Sequence, residues 1–163
     1  MARRRTQQHP LDPHERALRL LSVRPRSRHE LGSRLRLAGF EAEAVRGELD
    51  RLEAVGLLDD ASFARAVAEH QVKVRHAGRR AVFSALAAKG VDRGTIEETL
   101  ASLDGDEEGR AEELALERAR GLAGLPPEKA YARLVGLLQR RGYDGSVARS
   151  AARSAVLRSS DDA

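Results

Sequence analysis

The sequence predicts an all-α fold of three tandem three-helix repeats, stacked into an elongated or curved array. Three observations carry this reading. A figure of helix, glycine stop and capped helix recurs, first as Leu31, Leu35, Gly39-Phe40-Glu41, Val45, Leu49, Leu52. It returns as Val82, Leu86, Gly90-Val91-Asp92, Ile96, Leu100, Leu103, and again as Leu134, Leu138, Gly142-Tyr143-Asp144. The glycines are offset by 51 and 52 residues, the mark of internal repetition. Apolar residues run at spacings of three and four on both sides of each glycine, and no stretch sustains the period-two alternation of a strand.

The elements follow in order. Residues 1–11 read as a disordered basic tail. Asp12-Pro13 with Glu15 supplies a cap, a first-turn proline and a capping-box acid, so a helix starts there with Ala17, Leu18 and Leu21 on one face and stops near Pro25. Ser27 and Glu30 form a second capping box for a helix through Leu31, Leu35 and Ala38, which Gly39 ends. A third helix spans about Glu41 to Val55 on Val45, Leu49, Leu52 and Val55, closing a first repeat at residues 12–58. The second repeat, 59–104, opens on Asp59-Asp60 with Phe63, Val67, His70 and Val74 on one stripe to about Arg75, then takes the central glycine unit. The third, 105–158, opens on an acidic start, carries Ala111, Leu114, Ala115, Ala119 and Leu122, breaks at Gly124-Leu125-Pro126-Pro127, and resumes through Tyr131, Leu134, Val135 and Leu138. Its last helix is built on Val147, Ala148, Ala151, Ala152, Ala155 and Val156, smaller residues than the earlier copies use; 159–163 read as a tail. Nine helices in three groups of three result. One triplet cannot bury its stripe alone, so stacking is what stabilises the chain.

Composition narrows the function. In 163 residues there is no Cys and no Trp, and aromatics make up 3%. That excludes disulfides, thiolate catalysis, cysteine-ligated metal and a large stacking platform. No window approaches the roughly 18 apolar residues of a membrane span, and no apolar segment follows the basic start to make a secretory signal; the expectation is a soluble cytoplasmic protein. Net charge is +4, but it alternates with the repeat: +7 over 1–40, −5 over 41–60, +5 over 61–93, −8 over 94–117 and +7 over 118–158. Such a pattern suits a partner that is itself a charged, repeating polymer, although each block alone also reads as a solvated helix face.

Catalytic and metal-binding motifs fail one by one. His29-Glu30 begins like a zincin helix but carries Ser33 where the second histidine belongs, and His70 and His76 lack ligand spacing. The acidic loop at Asp106, Glu108 and Gly109 imitates a calcium loop whose twelfth position is Ala115, not Glu. Neither a phosphate-binding glycine loop nor a nucleophile elbow is present. No cofactor and no enzymatic activity are expected. The basic clusters are better candidates. Arg24, Arg26 and Arg28 precede the second helix of repeat one, and Arg75, Arg79 and Arg80 precede that of repeat two. Arg24 to Arg75 and Arg28 to Arg79 are both offset by 51. Arginines beside a helix N-terminus with free backbone N–H groups suit phosphate or carboxylate. Repeat three places its charge at Arg133, Arg140 and Arg141.

The run Val55-Gly56-Leu57-Leu58-Asp59-Asp60-Ala61-Ser62-Phe63-Ala64-Arg65-Ala66, followed by Gly78-Arg79-Arg80 through Leu86 and by Lys89-Gly90-Val91, resembles the RecX family of bacterial regulatory proteins, with the likeness extending from about Ala17 to Val156. The resemblance implies three tandem three-helix repeats and a regulator of RecA recombinase, acting in homologous recombination, DNA repair and the SOS response. Family members bind in the groove of the RecA filament on single-stranded DNA and restrain strand exchange, ATP hydrolysis and coprotease activity. The family has no catalytic residues to carry over; the basic positions within the matching motif are Arg79, Arg80 and Lys89, with Arg65. Val67 departs from a position that is often aromatic in the family. The expected partners are therefore the RecA filament and single-stranded DNA, touched directly or through the filament, with no membrane and with the chain a monomer. Two other classes remain open: an autonomous helix-turn-helix-like DNA-binding module and a protein-binding helical scaffold. Against the first, the helix after the glycine turn is acidic in copies one and two, at Glu41, Glu43, Glu48, Glu97 and Glu98.

Overall fold

A computed structural model describes residues 12–103 and 107–161; residues 1–11, 104–106 and 162–163, and with them the expected basic tail and the end of the expected C-terminal tail, lie outside the described residues. Nine α-helices and no strand occur among them: α1 (Pro13–Val23), α2 (Arg28–Leu37), α3 (Ala42–Ala54), α4 (Asp60–Arg75), α5 (Arg79–Ala88), α6 (Arg93–Ser102), α7 (Glu107–Ala119), α8 (Pro127–Arg140) and α9 (Gly145–Asp161). The all-α fold of three-helix repeats is as expected. No helix among the described residues is long and apolar enough to cross a membrane.

Local chemistry sets the helix ends. Asp12 and Ser27 cap α1 and α2, accepting from the backbone N–H of His14 and Glu30, and Asp92 caps α6 through Thr95. The recurring glycines at 39, 90 and 142 all have positive φ, as does Gly56, so the carbonyls at each helix C-terminus are met by the chain turning back. After α2 the Phe40 N–H reaches the Leu35 carbonyl at 3.3 Å, and after α8 the Tyr143 N–H reaches the Leu138 carbonyl at 3.1 Å. Four details differ from expectation. Val55 is 62% exposed, because it follows the last turn of α3 just before the reversal at Gly56. On α4 the buried face runs through Phe63, Ala64 and Ala68, rotated away from His70 and Val74, which are exposed. Finally, α9 continues to Asp161, past residue 158 where the last repeat was expected to end, and the chain after α7 tightens into a 3-10 turn at Arg120–Leu122.

Two compact units form: residues 12–63 together with Lys89–Val91, and Ala64–Ala88 together with the chain from Asp92 onward. In the first, Ala17, Leu31, Leu35, Val45, Leu49, Leu52 and Leu58 make one core, with Leu20, Leu21 and Phe40 packed against it. Each fully buried leucine there contributes about 2 kcal/mol. Glu48 is also buried and is held by the His14 ring, with Nδ1 at 2.7 Å from Oε1. In the second unit a core of Ala111, Leu114, Ala115, Ala119, Leu134, Leu138, Tyr143, Ala148, Ala151, Ala152 and Ala155 is alanine-rich but continuous.

The units do not follow the repeats, since the start of α4 and the turn after α5 belong with repeat one. The cause is a joint used twice, once in each unit. In the first, the Ser27 hydroxyl donates to the Lys89 carbonyl, and the Arg28 N–H donates to Asp60 Oδ1 at 2.7 Å. In the second, the Gly78 N–H donates to the Arg141 carbonyl at 2.8 Å, the Arg80 N–H to the Gly142 carbonyl at 3.1 Å, and the Arg79 N–H to Glu107 Oε1 at 2.7 Å. Thus the N-terminus of one repeat's middle helix sits on the glycine turn that ends the next repeat's middle helix. A side chain on Gly142 would lie 2.5 Å from the Ala81 nitrogen, and one on Gly90 would meet His29 at 2.3 Å; glycine is required by approach as well as by φ.

Candidate nucleic-acid interface

The arginine turn of repeat one is occupied by carboxylates of its own repeat, with Arg26 buried, Arg28 half-buried and Arg24 exposed. Arg26 is only 7% exposed; its Nε donates to the Leu20 carbonyl at 3.2 Å and its Nη1 to Glu30. Arg24 grips the same carboxylate, with Nη1 at 3.1 Å from Oε2. Burial alone would push the Glu30 carboxyl up, but the hydrogen bonds from Arg24 and Arg26 outweigh it and hold the group below its ordinary value. Arg28 spans to α3, with Nη2 at 2.6 Å from Asp50 Oδ1 and Nη1 on Glu53. Its hydrogen bond with Asp50 raises its already high pKa against the cost of burial, helped by Glu53. All three guanidinium groups are engaged within the repeat.

The corresponding turn of repeat two is different. Arg75 and Arg80 are exposed, and neither makes an ion pair within 4 Å among the described residues. Arg79 donates one guanidinium N–H to the Leu100 carbonyl at 3.0 Å, leaving the rest of its five donors available. Most of the backbone N–H groups expected to be free beside these arginines are taken. Asp60 caps Arg28, Glu107 caps Arg79, and carbonyls take Gly78 and Arg80, because each helix N-terminus is used to join repeats. Anion binding at these turns rests on side chains alone. Arg65 is exposed on α4, and the Lys89 ammonium lies 5.9 Å from the centroid of Phe63, a cation–π distance.

Two open clefts in the second unit collect the remaining candidates. One, of about 350 Å³, is lined by Gln71, Arg75, Ala77, Ala81, Arg140 and Arg141. Here the Arg141 guanidinium donates to the Arg75 carbonyl, tying the end of α8 to the end of α4. The other, of about 620 Å³, is lined by Arg118, Leu122, Ala132, Arg133, Leu134, Gly136, Leu137 and Arg140. Arg140 borders both. Its Nη1 lies where a side chain on Gly136 would come within 3.2 Å, so the small residue lets the guanidinium fold back along α8. Arg75, Arg133, Arg140 and Arg141, separated by up to 66 residues in sequence, thus share one basic surface. Arg118 and Gly136 were missed by sequence reasoning. The signal was present in Arg133, Gly136, Leu137 and Arg140, which recur at i, i+3, i+4 and i+7 and so share one face of α8. Such a row of guanidinium groups with apolar floor suits a polyanion backbone.

Among the described residues no group of three or more His, Asp or Glu side chains could hold a metal ion.

The comparisons agree with this architecture. Three family models match in order: RecX, first three-helix domain, over residues 14–52; RecX, second three-helix domain, over 59–100; and RecX, third three-helix domain, over 106–151. The chain is 37% identical over 158 residues to a regulatory protein RecX of Streptomyces coelicolor, covering 94% of this chain and 84% of that one. It is 44% identical over 140 residues to a regulatory protein RecX of Mycolicibacterium smegmatis, covering 80% and 72%. The fold matches the crystal structure of RecX from Lactobacillus salivarius with a TM-score of 0.81 at 18% identity, over 89% of this chain and 95% of that chain. With all three domains matched in order and relatives this similar over most of its length, the chain belongs to the RecX family of regulatory proteins.

Proposed function

We propose that this chain binds the RecA filament on single-stranded DNA and lowers its recombinase, ATPase and coprotease activities, acting in the cytoplasm as a monomeric protein without catalysis of its own. Family membership supports the regulatory role. The observation that carries the binding mode is the pair of clefts sharing Arg140, where Arg75, Arg133, Arg140 and Arg141 meet on one unit. A filament offers a regular series of phosphates and acidic side chains, and a surface of guanidinium groups engages such a series without needing a deep pocket. Lying along the groove, the chain would bridge neighbouring recombinase protomers and hinder their rearrangement. ATP would be hydrolysed by the recombinase.

The test is an ATPase and strand-exchange titration of RecA assembled on single-stranded DNA, with co-sedimentation of the added protein. Wild type is expected to co-sediment and to depress both activities, and an Arg75→Ala/Arg140→Ala variant to do so only at higher concentration. Undiminished ATPase and strand exchange with the protein in excess would overturn the reading. Binding to naked duplex with sequence preference and no effect on the filament would point to an autonomous DNA-binding module instead.

A further inference from the structure

The sequence contains five aromatic residues, and Phe83 on α5 is the most exposed of them, at 37%. Phe63 and Tyr143 are buried and Phe40 and Tyr131 half-buried. The ring keeps more than a third of its surface open to water, on a helix whose inner face is already filled by Val82 and Leu86, so part of it is available for contact. Its surroundings are specific. Phe83 lines an open cleft of about 290 Å³ with Arg79, Arg80, Ser84 and Leu100. Arg79 and Arg80 stand four and three residues before it, the spacings that put helix side chains beside one another. The Arg79 guanidinium is anchored to the Leu100 carbonyl at the cleft wall, which fixes a cation beside the ring before any ligand arrives.

We propose that Phe83 is a stacking platform for one unpaired nucleobase, with Arg79 and Arg80 holding the flanking phosphates of a single strand. The inference rests on the filament reading and deepens it, since it puts the DNA strand itself in contact with this chain. Two features favour nucleic acid over an apolar patch of protein. The ring is bordered by two arginines, and Ala77, just before the same helix, and Ala81, in its first turn, line another cleft with three more arginines at positions 75, 140 and 141. A polyanion with regularly spaced charges uses such a collection, whereas a hydrophobic partner segment would have to desolvate it. A single strand is required, because only a base freed from its pair can present a face to a ring held in a cleft.

The chain contains no tryptophan, so Phe83→Trp in the full-length protein is the sole indole, and excitation at the red edge, where tyrosine does not absorb, makes it the reporter at the site. Titration with oligothymidylate at low salt and without recombinase is expected to quench that emission saturably. An abasic strand of equal length and charge should bind with little quenching. Phe83→Ala and Phe83→Leu should each weaken oligothymidylate binding roughly tenfold while changing affinity for the abasic strand less than about twofold. Phe83→Leu preserves apolar packing, so circular dichroism and a matched thermal midpoint separate lost stacking from lost fold. Arg80→Ala should weaken both strands alike. Emission unchanged at saturating oligothymidylate, or wild-type affinity in both the Ala and Leu variants, overturns the proposal. So does an emission change on adding recombinase alone, which would make a protein the occupant. The filament reading is tested separately by ATPase, and stands if stacking fails while inhibition persists.

Discussion

Two arginines of each turn, Arg24 and Arg28 in the first repeat and Arg75 and Arg79 in the second, occupy the same register, yet one turn is a structural clamp and the other an open surface. Arg24, Arg26 and Arg28 close on Glu30, Asp50 and Glu53, whereas Arg75 and Arg80 have no carboxylate within ion-pair distance among the described residues. The difference lies in the acids. Fifty-one residues after Glu30 stands Ala81 and fifty-one after Asp50 stands Ala101, while the counterpart of Glu53 is Asp104, outside the described residues. Repetition of a backbone carries arginines to equivalent places; whether they are used internally depends on what the neighbouring helix presents. Alanine in place of the Glu30 counterpart leaves Arg75 open to another partner.

The strongest way to break this comparison is at the joints beneath the turns. Gly142→Ala should destabilise the protein by about 3 kcal/mol, because its side chain meets Ala81 backbone at a positive φ. Gly39→Ala, at the equivalent turn with nothing within 4 Å of the added carbon, should lose only about 1 kcal/mol. Urea unfolding of the two variants measures both, and equal losses would refute the joint. Next in size, Arg26→Ala should cost about 2 kcal/mol by leaving Glu30 short of a charged partner, while Arg75→Ala and Arg140→Ala stay within about 0.5 kcal/mol of wild type.

Binding should divide the two turns the other way. Arg75→Ala or Arg140→Ala is expected to weaken single-strand or filament affinity several-fold, and to reduce the magnitude of the salt slope by about one, as anisotropy at several salt concentrations would show. Arg24→Ala should leave affinity and slope unchanged. The smallest effect is pH-dependent. The Glu30 pKa is lower folded than unfolded, so its pairing stabilises the protein above the ordinary carboxylate value of 4.5 and is lost as pH falls through the lower folded value. Thermal midpoints followed downward from pH 6 should therefore fall more for wild type than for Glu30→Gln, by under about 1 kcal/mol in a partly exposed pair.

Much of this was legible in the residues. The glycine turns, the Ser27 and Asp92 caps and the three-helix grouping follow from short-range rules, since a helix ends where the next few residues favour a positive φ or offer a cap. The face of α4 was misassigned because alanines carry a weak periodic signal; Ala64 and Ala68 define it, where Val74 was expected. The arginine candidates were found by register, but their division into clamp and open surface was not drawn, although the missing acids could be counted. Phe83 was passed over because a lone aromatic at helical spacing looks like core until its exposure is measured.

By itself, then, the order of residues determined the helices, their breaks and their threefold recurrence, all set by backbone preferences acting within a turn or two. Only the tertiary structure decided that helix N-termini are consumed in joining repeats, and that Arg75 meets Arg140 and Arg141 across a stretch of 66 residues. Those outcomes depend on which surfaces approach within a few ångströms, and burial and pairing are properties of that approach, not of position along the chain.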